Sequence, residues 1–181
     1  MTCRRWVMVV AMVIASTTTA SASLGETELT AALVYRFATF VEWPPAAIGE
    51  GPVVIGVLGA NKVADALETM VEGRTIEGRS LMIESLDDVR AASRCHIVFL
   101  GSNARNRRDA LLAALGAGSV LTLSDSDRFA RQGGMVEFVR RDRSLVFEIH
   151  RGALAQAGLR INPAVLGLAE KVYGNAPADI P

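Results

Sequence analysis

The feature that most constrains the fold is a series of short apolar runs, rich in β-branched residues, that alternate with segments of helical spacing. The runs occupy residues 53–58, 81–83, 96–100 and 120–123. Continuous apolar runs of this kind predict strands buried on both faces of a sheet, and short joints containing glycine are typical of strand–helix units. The alternation therefore predicts an α/β fold built on a mainly parallel sheet.

The spacing of apolar residues also predicts the intervening helices. Residues 26–43 repeat apolar side chains at helical intervals up to a pair of prolines, and residues 63–71 do the same, with Asn61 as the expected N-cap. A short helix is expected over residues 86–92. A longer one is expected over residues 105–115, where two glycines end it.

The C-terminal part follows a different pattern, because alternation replaces continuous apolar burial. Residues 135–140 and 144–149 predict an antiparallel hairpin. A helix over residues 151–157 should follow, and then a second helix that begins at Asn162 and Pro163 and closes at Gly174. With no repeat, linker or low-complexity segment in the sequence, residues 23–181 are predicted to form one three-layer-like domain.

The first 22 residues carry the pattern of a secretory signal peptide, which begins with Arg4 and Arg5, continues with an apolar run and ends in Ala20-Ser21-Ala22. We expect cleavage after Ala22 and a periplasmic mature domain; an uncleaved anchor is the alternative. No later segment is apolar enough to span a bilayer, so stable membrane insertion is not expected. The chain has a formal net charge of zero, which gives no electrostatic reason to expect nucleic-acid binding.

Residues that would carry catalysis or bind a metal are sparse. His96 and His150 have no further ligand at metal-site spacing, and no G-x-S-x-G elbow presents a serine, although a triad of residues distant in sequence stays open. Asp125 and Asp127 are interpreted as turn and cap residues. Cys95 is the one cysteine after the signal, so it is expected to be buried or to pair between chains. We predict no enzyme, no metal and no cofactor.

Two joints that contain glycine form a candidate ligand site. Residues 59–62 and 101–105 each follow a predicted strand and open a helix. Free N–H groups at such a position favour anions, and ligands of open α/β sheets lie at the carboxyl ends of the strands. Asn61, Ser102 and Asn103 are therefore candidate ligand-binding residues. The alternative is that both joints are simply tight connections.

The first helix carries a second candidate, a cluster of four aromatic residues. Core packing is favoured for Phe37 and Phe40, whereas core packing and partner contact are equally open for Tyr35 and Trp43. Because aromatic side chains anchor many protein interfaces, Tyr35, Phe40 and Trp43 are the candidate partner-binding residues.

Five short segments carry a family resemblance: residues 40–44, 55–59, 95–101, 147–149 and 157–163. These segments and the order of the elements, over residues 28–172, resemble the YfiR family. The resemblance implies a small periplasmic α/β protein that forms a homodimer and has no known catalytic activity. It also implies repression of an inner-membrane diguanylate cyclase through the periplasmic region of that enzyme, and with it control of cyclic di-GMP and biofilm formation. The best-known member has disulfides, which Cys95 alone cannot form within one chain.

The sequence thus favours an exported regulatory binding protein whose partner is a membrane diguanylate cyclase or sensor kinase. The alternative is a periplasmic small-molecule binding module that serves a sensor or transporter, and an exported enzyme comes third. Within a second, more polar candidate surface, His150 and Arg160 are candidate ligands of an anionic small molecule, because arginine offers a planar fork of donors. That surface comprises Met135, Arg140, Arg143, Glu148, His150 and Arg160.

Overall fold

The computed structural model describes residues 25–142 and 144–174. The predicted signal peptide, Arg143 and the last residues of the chain lie outside the described residues. Within them the chain forms six α-helices and ten strands, with three short 3-10 helices at Val89–Arg94, Ser102–Arg107 and Ala130–Gln132. The helices are α1 (Glu26–Phe40), α2 (Pro45–Ile48), α3 (Asn61–Val71), α4 (Arg108–Leu115), α5 (Arg151–Gln156) and α6 (Pro163–Leu166). The strands are β1 (Val41–Glu42), β2 (Val53–Leu58), β3 (Thr75–Ile76), β4 (Arg79–Leu86), β5 (Ile97–Leu100), β6 (Leu121–Ser124), β7 (Val136–Arg141), β8 (Ser144–His150), β9 (Arg160–Ile161) and β10 (Lys171–Tyr173).

Eight strands form one sheet in the order β10-β8-β7-β6-β5-β2-β4-β3. The central pairs β4–β2, β2–β5, β5–β6 and β6–β7 are parallel, and β7 and β8 form the antiparallel hairpin. The remaining strands, β1 and β9, pair as a separate antiparallel ribbon. The prediction of an α/β fold with a mainly parallel sheet and a C-terminal hairpin is confirmed.

The sheet is covered on both sides because successive residues of a strand face opposite ways. In β5, Ile97 and Phe99 belong to the larger buried cluster, which includes the inner side of α1 and α3, whereas Val98 and Leu100 belong to a second buried cluster with Leu111 of α4. Burial on both faces explains why the central strands appear in the sequence as continuous apolar runs.

Several predicted helix boundaries are wrong for identifiable reasons. Helix α1 ends at Phe40, not at residue 43, because the next two residues turn extended and pair with β9. Asn61 is the first residue of α3 rather than its cap, a position taken by Ala60 without a side-chain hydrogen bond. The predicted helix over residues 86–92 is a 3-10 helix that begins after Asp88, whose side chain accepts the N–H of Arg90.

Two further predictions need correction. The helix expected over residues 105–115 is divided, because its first three residues belong to the 3-10 helix Ser102–Arg107 and α4 begins only at Arg108. The last helix does not run to Gly174: α6 ends at Leu166, and Lys171–Tyr173 forms β10, which pairs parallel with β8. Strand β10 is held there by the Tyr173 hydroxyl, which donates to Glu148 Oε2 over 2.8 Å.

Candidate functional site

The carboxyl ends of three neighbouring parallel strands form an open cleft of about 540 Å³. Strands β2, β5 and β6 end side by side, and the residues that follow them line the cleft. The structure brings Asn61, Ser102 and Asn103 together here, as predicted from the sequence, and adds Asp125 and Thr27. The side chains of Asn61 and Asn103 are exposed and Ser102 is half-buried, so the cleft presents amide groups to solvent.

Two charged residues line this strand-end cleft, the exposed Lys62 and the half-buried Asp125. Asp125 is bound to Ser102. Its Oδ1 accepts the backbone N–H of Ser102 over 2.6 Å, and its Oδ2 accepts the Ser102 hydroxyl over 3.4 Å. Burial raises the pKa of the Asp125 carboxyl, and the negative charge of Glu26 raises it further. The backbone N–H of Ser102, which we expected to bind an external anion, therefore donates to the Asp125 carboxylate instead.

The glycines of the two joints are required by packing. A Cβ on Gly101 would lie 2.6 Å from the carbonyl oxygen of Gly59, and a Cβ on Gly59 would collide with the side chain of Ala104. Gly59 also has a φ of +73°, which L-residues rarely adopt. The two joints thus pack against each other, and this contact accounts for their glycines without a ligand.

The C-terminal end of α1 meets β9 and forms an exposed surface of mixed character, the α1–β9 surface, made of Phe40, Glu42, Trp43 and Arg160. Glu42 lies directly opposite Arg160 in the ribbon, and both are exposed. Phe40 and Trp43 are half-buried against the larger core cluster. Trp43 Nε1 is buried and has no hydrogen-bond partner among the described residues.

Tyr35 lies apart from that surface. Five residues along a helix rotate a side chain by about 140°, so Tyr35 and Phe40 face different directions. The Tyr35 ring receives the Arg74 guanidinium 5.4 Å from its centroid, a cation–π contact with the loop that follows α3. The three aromatic residues predicted to bind a partner therefore do not share one face of α1.

The second, polar candidate surface is only partly assembled. Met135 is buried, with its backbone N–H donating to Thr122 Oγ1, so its prediction as a surface residue is wrong. Arg140 forms an ion pair with Glu26. His150 Nδ1 accepts the backbone N–H of Ala153 over 3.0 Å and so caps α5, a structural role that leaves that nitrogen unavailable to a ligand.

The hairpin carries two buried carboxylates. Glu137 was missed by sequence reasoning, and the prediction of Glu148 as a surface residue is wrong because its side chain is buried. Glu137 and Glu148 lie directly opposite each other on β7 and β8, and both are buried. Glu137 accepts the backbone N–H groups of Arg128 and Ala130 over 2.8 and 3.0 Å. Burial raises the pKa of Glu137, and the charge of Glu148 adds to the rise. The available signal was a glutamate inside an apolar strand, which needs partners when buried.

The remaining chemically reactive side chains have structural surroundings. His96 Nδ1 accepts the backbone N–H of Val54 over 3.0 Å, and burial lowers the pKa of its imidazole. Cys95 is buried, which raises the pKa of its thiol to about 11. Across residues 25–142 and 144–174, no group of three or more His, Cys, Asp or Glu side chains is placed to hold a metal ion. In the same residues, no helix has the length and apolar character needed to cross a membrane.

The chain is similar to known proteins over most of its length. A family model described as YfiR/HmsC-like matches residues 27–170. A conserved domain protein from Vibrio cholerae, known from its crystal structure, shares the fold with a TM-score of 0.57 at 14% identity, over 82% of this chain and 60% of that one. An ABC domain from Streptococcus pneumonia, solved in complex with L-Trp, aligns with a TM-score of 0.49 at 9% identity, over 66% of this chain and 54% of that one. This chain thus spans less than two thirds of the length of either protein.

Proposed function

Since the chain belongs to the YfiR/HmsC-like family, we propose that its exported domain is a regulatory binding protein that represses a membrane diguanylate cyclase by binding the periplasmic region of that enzyme. The observation that carries the proposal is the family match over residues 27–170, which runs from α1 to the start of β10. Repression by sequestration requires no catalytic group. It requires only that the enzyme bind the protein more tightly in its inactive state than in its active state.

We place the contact with the enzyme on the α1–β9 surface. Trp and Arg are among the residues most enriched as energetic anchors of interfaces. Arg160 lies on β9, and Trp43 directly follows Glu42, the residue that pairs with Arg160. Glu42 beside Arg160 supplies a charged rim. The unpartnered Nε1 of Trp43 supports this placement, because a small displacement of the ribbon on binding would let that donor reach a carbonyl of the partner.

The proposal is tested by capture and by direct binding. The tagged mature protein, residues 23–181, is used to recover proteins from solubilised host membranes, and the support sought is a membrane protein with a diguanylate cyclase domain. Binding to its purified periplasmic region is then measured by titration calorimetry. We expect Trp43→Ala to weaken that binding by at least about 30-fold, the range typical of an interface anchor.

Arg160→Ala provides a second variant, since Arg160 is exposed and its loss leaves the core intact. The matched control is Arg36→Ala, which removes an exposed arginine from α1 outside the α1–β9 surface. Failure to recover any cyclase or kinase, or equal weakening by the control and Arg160→Ala, would contradict the proposal.

Export and dimerisation belong to the same proposal. We expect N-terminal sequencing of protein from the periplasmic fraction to begin at Ser23, and sedimentation equilibrium to give twice the mass of the mature chain. An intact N-terminus retained in membranes would show the uncleaved anchor instead.

The strand-end cleft favours a second candidate function, a small-molecule binding module that serves a sensor or transporter. Its volume of about 540 Å³ lies in the range of small-ligand sites, and Asn61, Asn103 and Asp125 offer polar groups to a ligand. The test is a thermal-shift screen of uncharged, cationic and anionic metabolites, since Lys62 and Asp125 line the cleft with opposite charges. A ligand whose stabilisation disappears in Asn103→Ala would support this function.

A further inference from the structure

A cavity on the other side of Ser102 is rich in arginine. It has a volume of about 450 Å³ and lies between the 3-10 helix Ser102–Arg107, the start of α4 and the loop that follows β6. Arg105, Arg108 and Arg128 line it, together with Ser126. The two loops are far apart in sequence, and they meet because β5 and β6 are neighbours in the sheet.

The side chains around this arginine cavity carry a net positive charge. Arg105 and Arg128 are exposed, and neither side chain forms an ion pair with a described residue. Arg108 is held in place, because it pairs with Asp109 and donates to Gln132 Oε1. One acidic residue, Asp127, lines the cavity as well. Since Asp109 already compensates Arg108, the cavity keeps a formal charge of +1.

Ser126 supplies an independent observation. The residue is only 6% exposed, and its Oγ is buried without a hydrogen-bond partner among the described residues. Its backbone N–H is satisfied by Ser124 Oγ over 3.0 Å. Buried hydroxyls nearly always have a partner, so the Ser126 hydroxyl is a polar group of the cavity lining that the described residues leave unsatisfied.

The loop that carries these residues is held rigidly before any ligand arrives. The Glu137 carboxylate accepts the backbone N–H groups of Arg128 and Ala130, and the Phe129 side chain between them is fully buried. Arg128 has a φ of +62°, a left-handed conformation that is costly for a residue with a side chain. Such fixed geometry reduces the ordering cost of binding.

We propose that the arginine cavity binds a phosphate group, either inorganic phosphate or a phosphate monoester. Guanidinium forks match the oxygen geometry of phosphate and stay charged at any physiological pH. The Ser126 hydroxyl would donate to a further phosphate oxygen. The cavity volume is sufficient for a phosphate carrying a small organic group. This site is separate from the α1–β9 surface, so its existence does not depend on the proposed repression.

The test is titration calorimetry of the purified protein with inorganic phosphate and, separately, with glycerol phosphate. We expect binding with a Kd below about 1 mM that weakens as sodium chloride is raised. Arg105→Ala and Ser126→Ala should each raise the Kd about 10-fold, the ordinary effect of losing a hydrogen bond to a charged group. Arg128→Gly should do the same, and glycine suits the positive φ at that position.

The matched control is Arg107→Ala, which removes a neighbouring arginine that donates to the Asp87 carbonyl and does not line the cavity. Its Kd should equal that of the unaltered protein. Tighter binding of glycerol phosphate would identify an ester as the ligand, and equal binding would identify free phosphate. The proposal is overturned if neither compound binds with a Kd below about 1 mM, or if Arg107→Ala weakens binding as much as Arg105→Ala does.

Discussion

Phe37 fixes α1 to the sheet, and its truncation gives the sharpest test of the packing described above. Its side chain is 1% exposed. The ring lies 5.1 Å from the ring of Phe147 at 87° and 5.7 Å from that of Phe138, so it contacts both strands of the hairpin. Replacement by alanine removes these contacts and leaves a cavity between helix and hairpin.

The expected cost follows from comparable core truncations. Phe→Ala at a fully buried site lowers the free energy of unfolding by about 3–5 kcal/mol. For a domain of this size each kcal/mol corresponds to about 2–4 °C in Tm, so Tm should fall by about 6–20 °C. Phe37→Leu, which leaves a smaller cavity, should fall between the unaltered protein and Phe37→Ala.

Urea unfolding followed by circular dichroism measures both variants, with Leu168→Ala as the control. Leu168 is 74% exposed, so its replacement should leave the midpoint unchanged within error. A decrease of less than about 1 kcal/mol in the free energy of unfolding of Phe37→Ala would contradict the packing of α1 on the hairpin, because truncation of a buried phenylalanine ordinarily costs about 3–5 kcal/mol.

Three further predictions address other parts of the molecule. Gly101→Ala should lower the free energy of unfolding by about 1–3 kcal/mol, because its Cβ would lie 2.6 Å from the Gly59 carbonyl oxygen. An unchanged free energy of unfolding in a urea titration would contradict that close contact. Glu137 has a raised pKa in the folded state, so the folded protein holds its proton more tightly and stability should fall as pH rises from the unfolded pKa through the folded one. Glu137→Gln should flatten that pH dependence in a series of urea titrations, and an unchanged slope would contradict the assignment. The Cys95 thiol, with a pKa of about 11, should resist iodoacetamide at pH 8 until the protein is unfolded, as mass spectrometry would show; rapid alkylation of the folded protein would contradict its burial.

The central sheet was predictable because the local sequence of each strand shows how the strand is buried. Strands β2, β5 and β6 are buried on both faces, so each appears as a continuous apolar run. The hairpin was predictable from alternation. The short pieces were not, because their pairing is set by residues far away: β1 is extended because it meets β9, and β10 because it meets β8.

The candidate sites divide in the same way. Asn61, Ser102 and Asn103 could be placed together in advance, since the carboxyl ends of parallel strands share one edge. The contribution of Asp125 to Ser102 required the knowledge that β6 lies beside β5. The arginine cavity depends on the same neighbour relation, and no local motif in the sequence marks it.

The measurement that tests the central claim most directly is the rate of cyclic di-GMP formation by the purified full-length partner cyclase, with and without this protein. Saturating protein should lower the rate at least about 10-fold, which requires the two states of the enzyme to differ by at least about 1.4 kcal/mol in binding this protein. Trp43→Ala at the same concentration should leave the enzyme largely active. An unchanged rate with the unaltered protein bound would contradict repression.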